Sequence, residues 1–336
     1  MSLPSAEQSN DISESMPVLI PERDPLLHPG RIVLHSLLFV ITFFTTTIAG
    51  VQWLNRNPFD LSNFPLGLPY SLSLLAILTA HEFGHYFAAR YHGVKTTLPF
   101  FIPVPPFLFN PFGTMGAVIR IRSQMSTRKI LFDVGIAGPL AGLAVTLLVL
   151  IYGVATLPGK EFLYSIHPDY AITRTIPTGG LAFGDSIFSW LFFQAVSSFT
   201  FFPPMNEIYH YPFLNAAWFG LFVTALNLIP VGQLDGGHIL YSLLGKKQGV
   251  FARIFLVILV GIGLSGLLPL FTDGGETSAT SWLIWAAILF FFVRPDHPPV
   301  HVEEPLDERR RYLGWFVFAV FLFTFIPIPF SGLSPQ

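Results

Sequence analysis

Residues 73–93 read SLLAILTAHEFGHYFAARYHG. The apolar run starts at about Pro69, and His81, Glu82 and His85 interrupt it. A bilayer-spanning helix needs about 20 mostly apolar residues, and the stretch 69–92 reaches that length. His81 and His85 are four positions apart, so on a helix both imidazoles project from one face and can hold one metal ion. Glu82 adjoins the first of them and can reach a water activated there. Counted from Pro69, His81 lies about 18 Å along a helix rising 1.5 Å per residue, deep in a hydrocarbon core about 30 Å thick. Ionisable groups at that depth cost about 2.5–3.5 kcal/mol each on insertion scales, so a functional role outweighs simple packing. Gly84 leaves room for a neighbouring helix to approach closely.

Composition extends this reading to the whole chain. Of 336 residues, 52% are hydrophobic and only 11% charged, with a net charge of −2 and a mean hydropathy of +0.59. A soluble domain carries about 25% charged residues; less than half of that cannot coat a surface facing water, so lipid must cover much of it. The near-neutral charge gives no argument for a nucleic-acid partner. Cysteine is absent, which excludes disulfides, thiolate metal sites and cysteine nucleophiles and leaves His, Asp and Glu as metal ligands.

Seven segments approach spanning length: 32–54, 69–92, 130–156, 211–234, 252–271, 279–294 and 311–329. This predicts an all-α polytopic membrane protein with about seven transmembrane helices. Basic residues set its orientation. Arg90, Lys95, Arg120, Arg122, Arg128 and Lys129 follow the second span, Lys246, Lys247 and Arg253 the fourth, and Arg294, Arg309, Arg310 and Arg311 the sixth. The alternate loops hold only Arg56, Lys160 and Arg174, so the richer set faces the cytoplasm. Residues 184–203 are apolar but carry Gln194 and several serines; a span there would put the basic loops on inconsistent sides, so an interfacial or partly inserted helix is expected. The arm 1–30 is polar and acidic with no apolar stretch, reading as a disordered cytoplasmic tail without a cleavable signal or transit peptide. Residues 31–336 then form the membrane-embedded domain, with a catalytic core of about 69–245, in a bacterial cytoplasmic membrane.

A third ligand is needed for a catalytic zinc site, which keeps its fourth position open. Residues 225–245, ALNLIPVGQLDGGHILYSLLG, offer Asp235 at an apolar helix end, beside Gly236 and Gly237 and after a helix that Asn227, Pro230 and Gly232 would unwind. By itself an Asp-Gly-Gly is more often a surface turn; beside the H-E-x-x-H helix of a zinc metalloprotease pattern it becomes the candidate ligand. His238, in the same loop, is the rival ligand or a polar packing partner. Between the two motifs, Leu98–Ile121 is apolar but broken by five prolines and cannot be a regular helix. Its Gly113–Ile121 part suits an extended strand, and such backbone is tolerated at membrane depth only inside protein or beside a watery cavity. A re-entrant loop or β-hairpin near the site is expected, with Gly113, Met115 and Gly116 as candidate substrate contacts through strand addition.

HEFGH (81–85) followed by NLIPVGQLDGG (227–237) resembles the site-2 protease family of intramembrane metalloproteases. GTMGAVIRIRS (113–123), FDVGIAGPLAGL (132–143) and PLDERRRYLG (305–314) are similar to its bacterial and chloroplast branch, which includes the ethylene-dependent gravitropism-deficient proteins of plants. The resemblance covers roughly 69–330. It implies His81, His85 and Asp235 as ligands of Zn2+, Glu82 as general base, Asn227 near the scissile peptide, and a transmembrane protein as substrate. Leu228 departs from the pattern, where many members have proline. The 54 residues of 157–210 are too few for the PDZ domain that several members carry, so no PDZ gating is expected. Two other classes compete: a membrane metal transporter, against which the absence of a repeated motif counts, and an inactive protease-like binding protein, against which Glu82 counts. Asp133, Asp185, Pro327 and Pro329 read as structural.

Overall fold

The computed structural model describes residues 29–106, 111–177, 179–268 and 278–332. Among them the chain is mostly helical. Helix α1 is Pro29–Trp53, α2 Phe64–Tyr91, α3 Arg128–Ala155, α4 Lys160–Ile166, α5 Pro168–Thr173 and α6 Ile187–Ser197. There follow α7 at Pro212–Asn227, α8 at Asp235–Leu244, α9 at Gln248–Ser265, α10 at Ser281–Ile288 and α11 at Glu308–Thr324. Two small antiparallel pairs complete the fold: β1 (Phe100–Pro103) with β2 (Thr114–Val118), and β3 (Ala182–Phe183) with β4 (Phe330–Ser331). The first pair is the hairpin expected between the two motifs.

Among the described residues, four stretches are long and apolar enough to cross a membrane: Pro29–Trp53, Leu61–Tyr91, Arg128–Ala155 and Asp235–Ser265. The protein is integral to a membrane. Helices α7 and α11, at 16 and 17 residues, fall short of that length, and α10 reaches on only through a five-residue π turn, Leu289–Val293. Helix α6 has 11 residues, too few to cross, as the interfacial reading requires.

Boundaries shift for identifiable reasons. Helix α1 opens at Pro29, where a proline's fixed φ and missing N–H cost nothing; the rest of the 1–30 tail lies outside the described residues, as do 269–271 of the fifth segment. The fourth segment stops at Asn227 instead of 234, ahead of Pro230. Asp235 accordingly opens the next helix and does not close the previous one: α8 runs through a 3-10 turn, Gly245–Lys247, into α9. The seventh segment ends at Thr324 rather than 329, and Phe330 joins the β3–β4 pair.

Helix α2 is the axis of the bundle, packed by α1, α3 and α7. Small residues set these approaches, since lipid offers no hydrophobic drive between helices and close backbone contact must replace it. A Cβ on Gly67 would stand 2.1 Å from the Thr47 carbonyl of α1, and one on Gly84 2.5 Å from the Ala137 carbonyl of α3. Large side chains such as Tyr70, Leu74, Leu150 and Trp218 fill the core around the upper half of α2, and Phe132, Ile229, Trp282 and Val317 form a second core beside α8 and α11. Apolar residues left open, including Leu37, Leu148 and Val257, are where lipid would lie.

The connections gather at the two ends of the bundle. At one, Val302 N–H donates to the Ser126 carbonyl at 2.9 Å, and Asp133 binds Arg310 through two contacts of 2.7 and 2.8 Å and His92 at 3.0 Å. At the other, His210 meets the Trp53 carbonyl and the Arg56 guanidinium donates to the Ser165 carbonyl at 3.4 Å. Loops assigned to one side by their charge therefore lie together.

Candidate functional site

His81, Glu82 and His85 sit on the buried face of α2, each 5–7% exposed. The Nε2 atoms of the two histidines are 3.1 Å apart. Asp235, 150 positions after His85, brings Oδ2 to 3.2 Å from His85 Nε2 and 3.3 Å from His81 Nε2. The i,i+4 spacing explains the pair; the aspartate depends on a sharp local fold. After α7 ends, residues 228–234 turn back with Gly232 at φ +54. A Cβ on Gly236 would lie 2.0 Å from the Leu228 carbonyl and one on Gly237 2.3 Å from the Gly232 carbonyl. The two glycines let the turn close tightly onto the start of α8, which aims Asp235 inward. As first residue of that helix, its carboxylate also sits at the favourable end of the helix dipole.

Tautomer and ring position are fixed by α3. His85 Nδ1 lies 2.8 Å from the Val134 carbonyl; a carbonyl only accepts, so Nδ1 carries the proton and Nε2 offers its lone pair to the cluster. The His85 ring occupies the space a side chain at Gly138 would need: a Cβ there would be 2.1 Å from Nε2. A Cβ on Gly142 would be 3.1 Å from His81 Nδ1. Two imidazole nitrogens and a carboxylate oxygen, buried and converging, form a donor set that suits zinc with one position open.

The site opens into a cleft of about 230 Å³. Glu82 lines it, with the backbone of Ile119 within hydrogen-bonding reach of its carboxylate. Asn227, at the end of α7, places Nδ2 3.2 Å from His81 Nε2. Of the β2 hairpin, Ala117, Val118 and Ile119 reach the cleft. The expected contacts lie further back: Met115 is 70% exposed, Gly113 (φ +82) packs on the α1 backbone at Thr45, and Gly116 (φ +96) faces open space. His238 also borders the cleft, but its Nδ1 pairs with His297 Nε2 at 2.7 Å, and it stands outside the converging group. Asp133 and Asp185 hold structural partners, Arg310 with His92, and Ser189. Gly138 and Gly142 escaped the sequence reading as site residues. Their signal was available, since Gly135, Gly138 and Gly142 repeat at helical spacing on one face of α3.

A model of Peptidase family M50 matches residues 69–268, which hold the whole site. The chain is 29% identical over 298 residues to "Probable zinc metalloprotease EGY2, chloroplastic" of Arabidopsis thaliana, an alignment covering 88% of this chain and 48% of that protein. It is 33% identical over 265 residues to "Probable zinc metalloprotease EGY1, chloroplastic" of Oryza sativa subsp. japonica, covering 78% and 41%. The chain spans about half the length of the curated relatives it matches.

Proposed function

The chain belongs to peptidase family M50, and from that premise we propose that it is a zinc-dependent intramembrane endopeptidase acting on transmembrane segments of other proteins. The observation that carries this reading is the convergence of His81, His85 and Asp235 beside Glu82 in one cleft. His81, His85 and Asp235 are the proposed zinc ligands. Bound zinc supplies a Lewis acid that polarises a carbonyl oxygen and lowers the pKa of water to about 7.

The chain's own residues do the rest. Glu82 takes a proton from the attacking water and returns it to the leaving amine. Val134 holds the His85 ring through Nδ1, and the glycine face of α3 keeps both rings in place. Asn227 presents an amide donor to the substrate's oxyanion or backbone. A substrate helix hides its peptide bonds and must unwind locally; the β2 edge, with Ala117–Ile119 nearest the site, receives the extended segment by strand addition. Gly113, Met115 and Gly116 then serve the hairpin's shape and its outer contacts.

We extend the proposal to topology. Helix α7, the α10 segment and α11 complete seven crossings, with the 94–129 and 295–310 loops on the cytoplasmic side, and 31–336 act as one membrane-embedded unit around a core of about 69–245. The bacterial cytoplasmic membrane expected from sequence finds no support in the two zinc metalloprotease relatives described above, which are chloroplastic by name.

The test mixes purified protein with a panel of helical single-span substrates in detergent and follows fragments with and without a chelator. Wild type should cleave and lose activity on chelation, while Glu82→Gln should keep its zinc and fold but cleave at least 10²-fold more slowly. Zinc flux in proteoliposomes that survives Glu82→Gln, with no cleavage of any substrate, would instead identify a transporter.

A further inference from the structure

A second group of ligand-competent side chains lies at the opposite end of the bundle. His167 sits between α4 and α5; Glu207 precedes and His210 ends the 3-10 turn, Ile208–His210, that leads into α7. The Nε2 atoms of His167 and His210 are 2.9 Å apart. Glu207 Oε2 lies 3.5 Å from His210 Nε2 and 3.8 Å from His167 Nε2. All three donor atoms fall within 4.8 Å of one another, as do those of His81, His85 and Asp235.

Three details suit a cation at this point. His210 Nδ1 faces the Trp53 carbonyl, which only accepts, so Nδ1 holds the proton and Nε2 turns a lone pair into the cluster. That is how a second partner fixes a metal-binding histidine, and the Val134 carbonyl does the same for His85. Glu207 is 2% exposed. Its Oε1 accepts from Tyr170 Oη at 2.9 Å and Asn206 Nδ2 at 3.4 Å, while its Oε2, aimed at the two imidazoles, is buried with no hydrogen-bond partner among the described residues. A buried carboxylate oxygen left unpaired is expensive, and among the described residues neither lysine nor arginine makes an ion pair with Glu207. Finally, His167 is stacked on Tyr170 with ring centroids 4.6 Å apart, so its ring is held rather than left to swing. Asn55 Nδ2, at 3.4 Å from His167 Nε2, closes the outer side.

We propose that His167, Glu207 and His210 form a second divalent-metal site, with zinc as its ion, that pins the α4–α5 junction to the 3-10 turn before α7, the turn whose His210 meets the end of α1 at the Trp53 carbonyl. Two imidazole nitrogens and one carboxylate oxygen are a zinc donor set. The ion satisfies Glu207 Oε2 and ties His167, at the α4–α5 junction, to the 3-10 turn that carries Glu207 and His210. The site is distinct from the α2 centre: Val51 of α1 packs against Gly67, and from Gly67 to His81 along α2 is roughly 20 Å. It does not rest on the protease reading.

The test measures zinc retained after dialysis by the purified full chain, by mass spectrometry of the metal, for wild type, His81→Ala, His167→Ala and Glu207→Gln. Wild type should hold two ions, each single variant one, and His81→Ala/His167→Ala none. If His167→Ala and Glu207→Gln keep the wild-type content, the inference is overturned and the cluster is a hydrogen-bonded histidine pair. If instead His81→Ala loses nothing while His167→Ala loses one, the second site stands and the α2 assignment fails. Should His167→Ala not fold, cobalt titration of the His81→Ala protein decides: a visible d–d band saturating at one equivalent and displaced by zinc supports the site, and its absence overturns it.

Discussion

Gly138→Ala would add one methyl group to α3 where the His85 ring lies. The new Cβ would stand 2.1, 2.3 and 2.5 Å from three atoms of that ring, against an ordinary contact of at least 3.4 Å, a shortfall of about 1.3 Å at Nε2. Sliding α3 away would forfeit the close packing at the same level, where Gly84 of α2 lies on the Ala137 carbonyl with the Gly138 Cα beside it. The ring must therefore move, losing either its 2.8 Å contact with the Val134 carbonyl or its aim toward His81 and Asp235. Overpacking of this kind costs about 1–3 kcal/mol, and a displacement of about 1 Å at a reacting centre costs about 10²-fold in rate. Zinc affinity should fall at least 10-fold, as when a ligand's supporting partner is lost. Gly142→Ala provides the internal scale, since its Cβ would meet His81 at 3.1 Å, a strain of a few tenths of an ångström and an expected loss under about 10-fold. Zinc content and substrate cleavage would be measured for both purified variants. Full zinc and full activity in Gly138→Ala, or greater damage from Gly142→Ala, would refute the packing argument.

Other perturbations address separate parts of the molecule. Asn227→Ala should retain zinc and fold yet cleave about 10²-fold more slowly, as for loss of one oxyanion donor; unchanged kcat would remove it from the mechanism. Asp133→Asn should destabilise the protein by about 1–3 kcal/mol by breaking the link between α3, His92 and Arg310, read as a lower melting temperature in detergent. Ser165→Cys and Val300→Cys, introduced into a chain with no native cysteine, should label from opposite faces of the membrane; labelling from one face would sink the seven-crossing topology. Asp307 caps α11, and hydrogen bonds from the Arg310 side chain and N–H hold its carboxyl below the usual value. Because that pKa is depressed, the cap's contribution is full above about 4 and lost as pH falls through the lowered value, so acid exchange of the first α11 amides should rise only there and Asp307→Asn should abolish the step.

The second and third helices, the hairpin between them and the histidine pair were legible because each rests on a local rule: uninterrupted apolar length, proline-broken backbone, and side chains four apart on one face. Counting crossings was less secure. Hydropathy read 211–234 as one segment, but Pro230 and the glycines around Asp235 divide it, and the helix that begins at Asp235 joins one that composition started at 252. A window average cannot register a single missing N–H or a turn that only glycine permits.

The sequence alone determined that the chain lives in a membrane and that α2 carries two imidazoles and a carboxylate on one buried face, since charge content and helical spacing are properties of the string itself. It offered Asp235 as a partner but did not specify how 150 intervening positions bring it within 3.2 Å of His85. That was decided by tertiary packing: the glycines of α3 that admit the rings, and the backbone of residues 228–237 folded on itself. The cluster of His167, Glu207 and His210 was decided there entirely. Glu207 and His210 are three apart on one 3-10 turn, but His167 stands 43 positions before His210, and only the packing of the α4–α5 junction against that turn makes them neighbours.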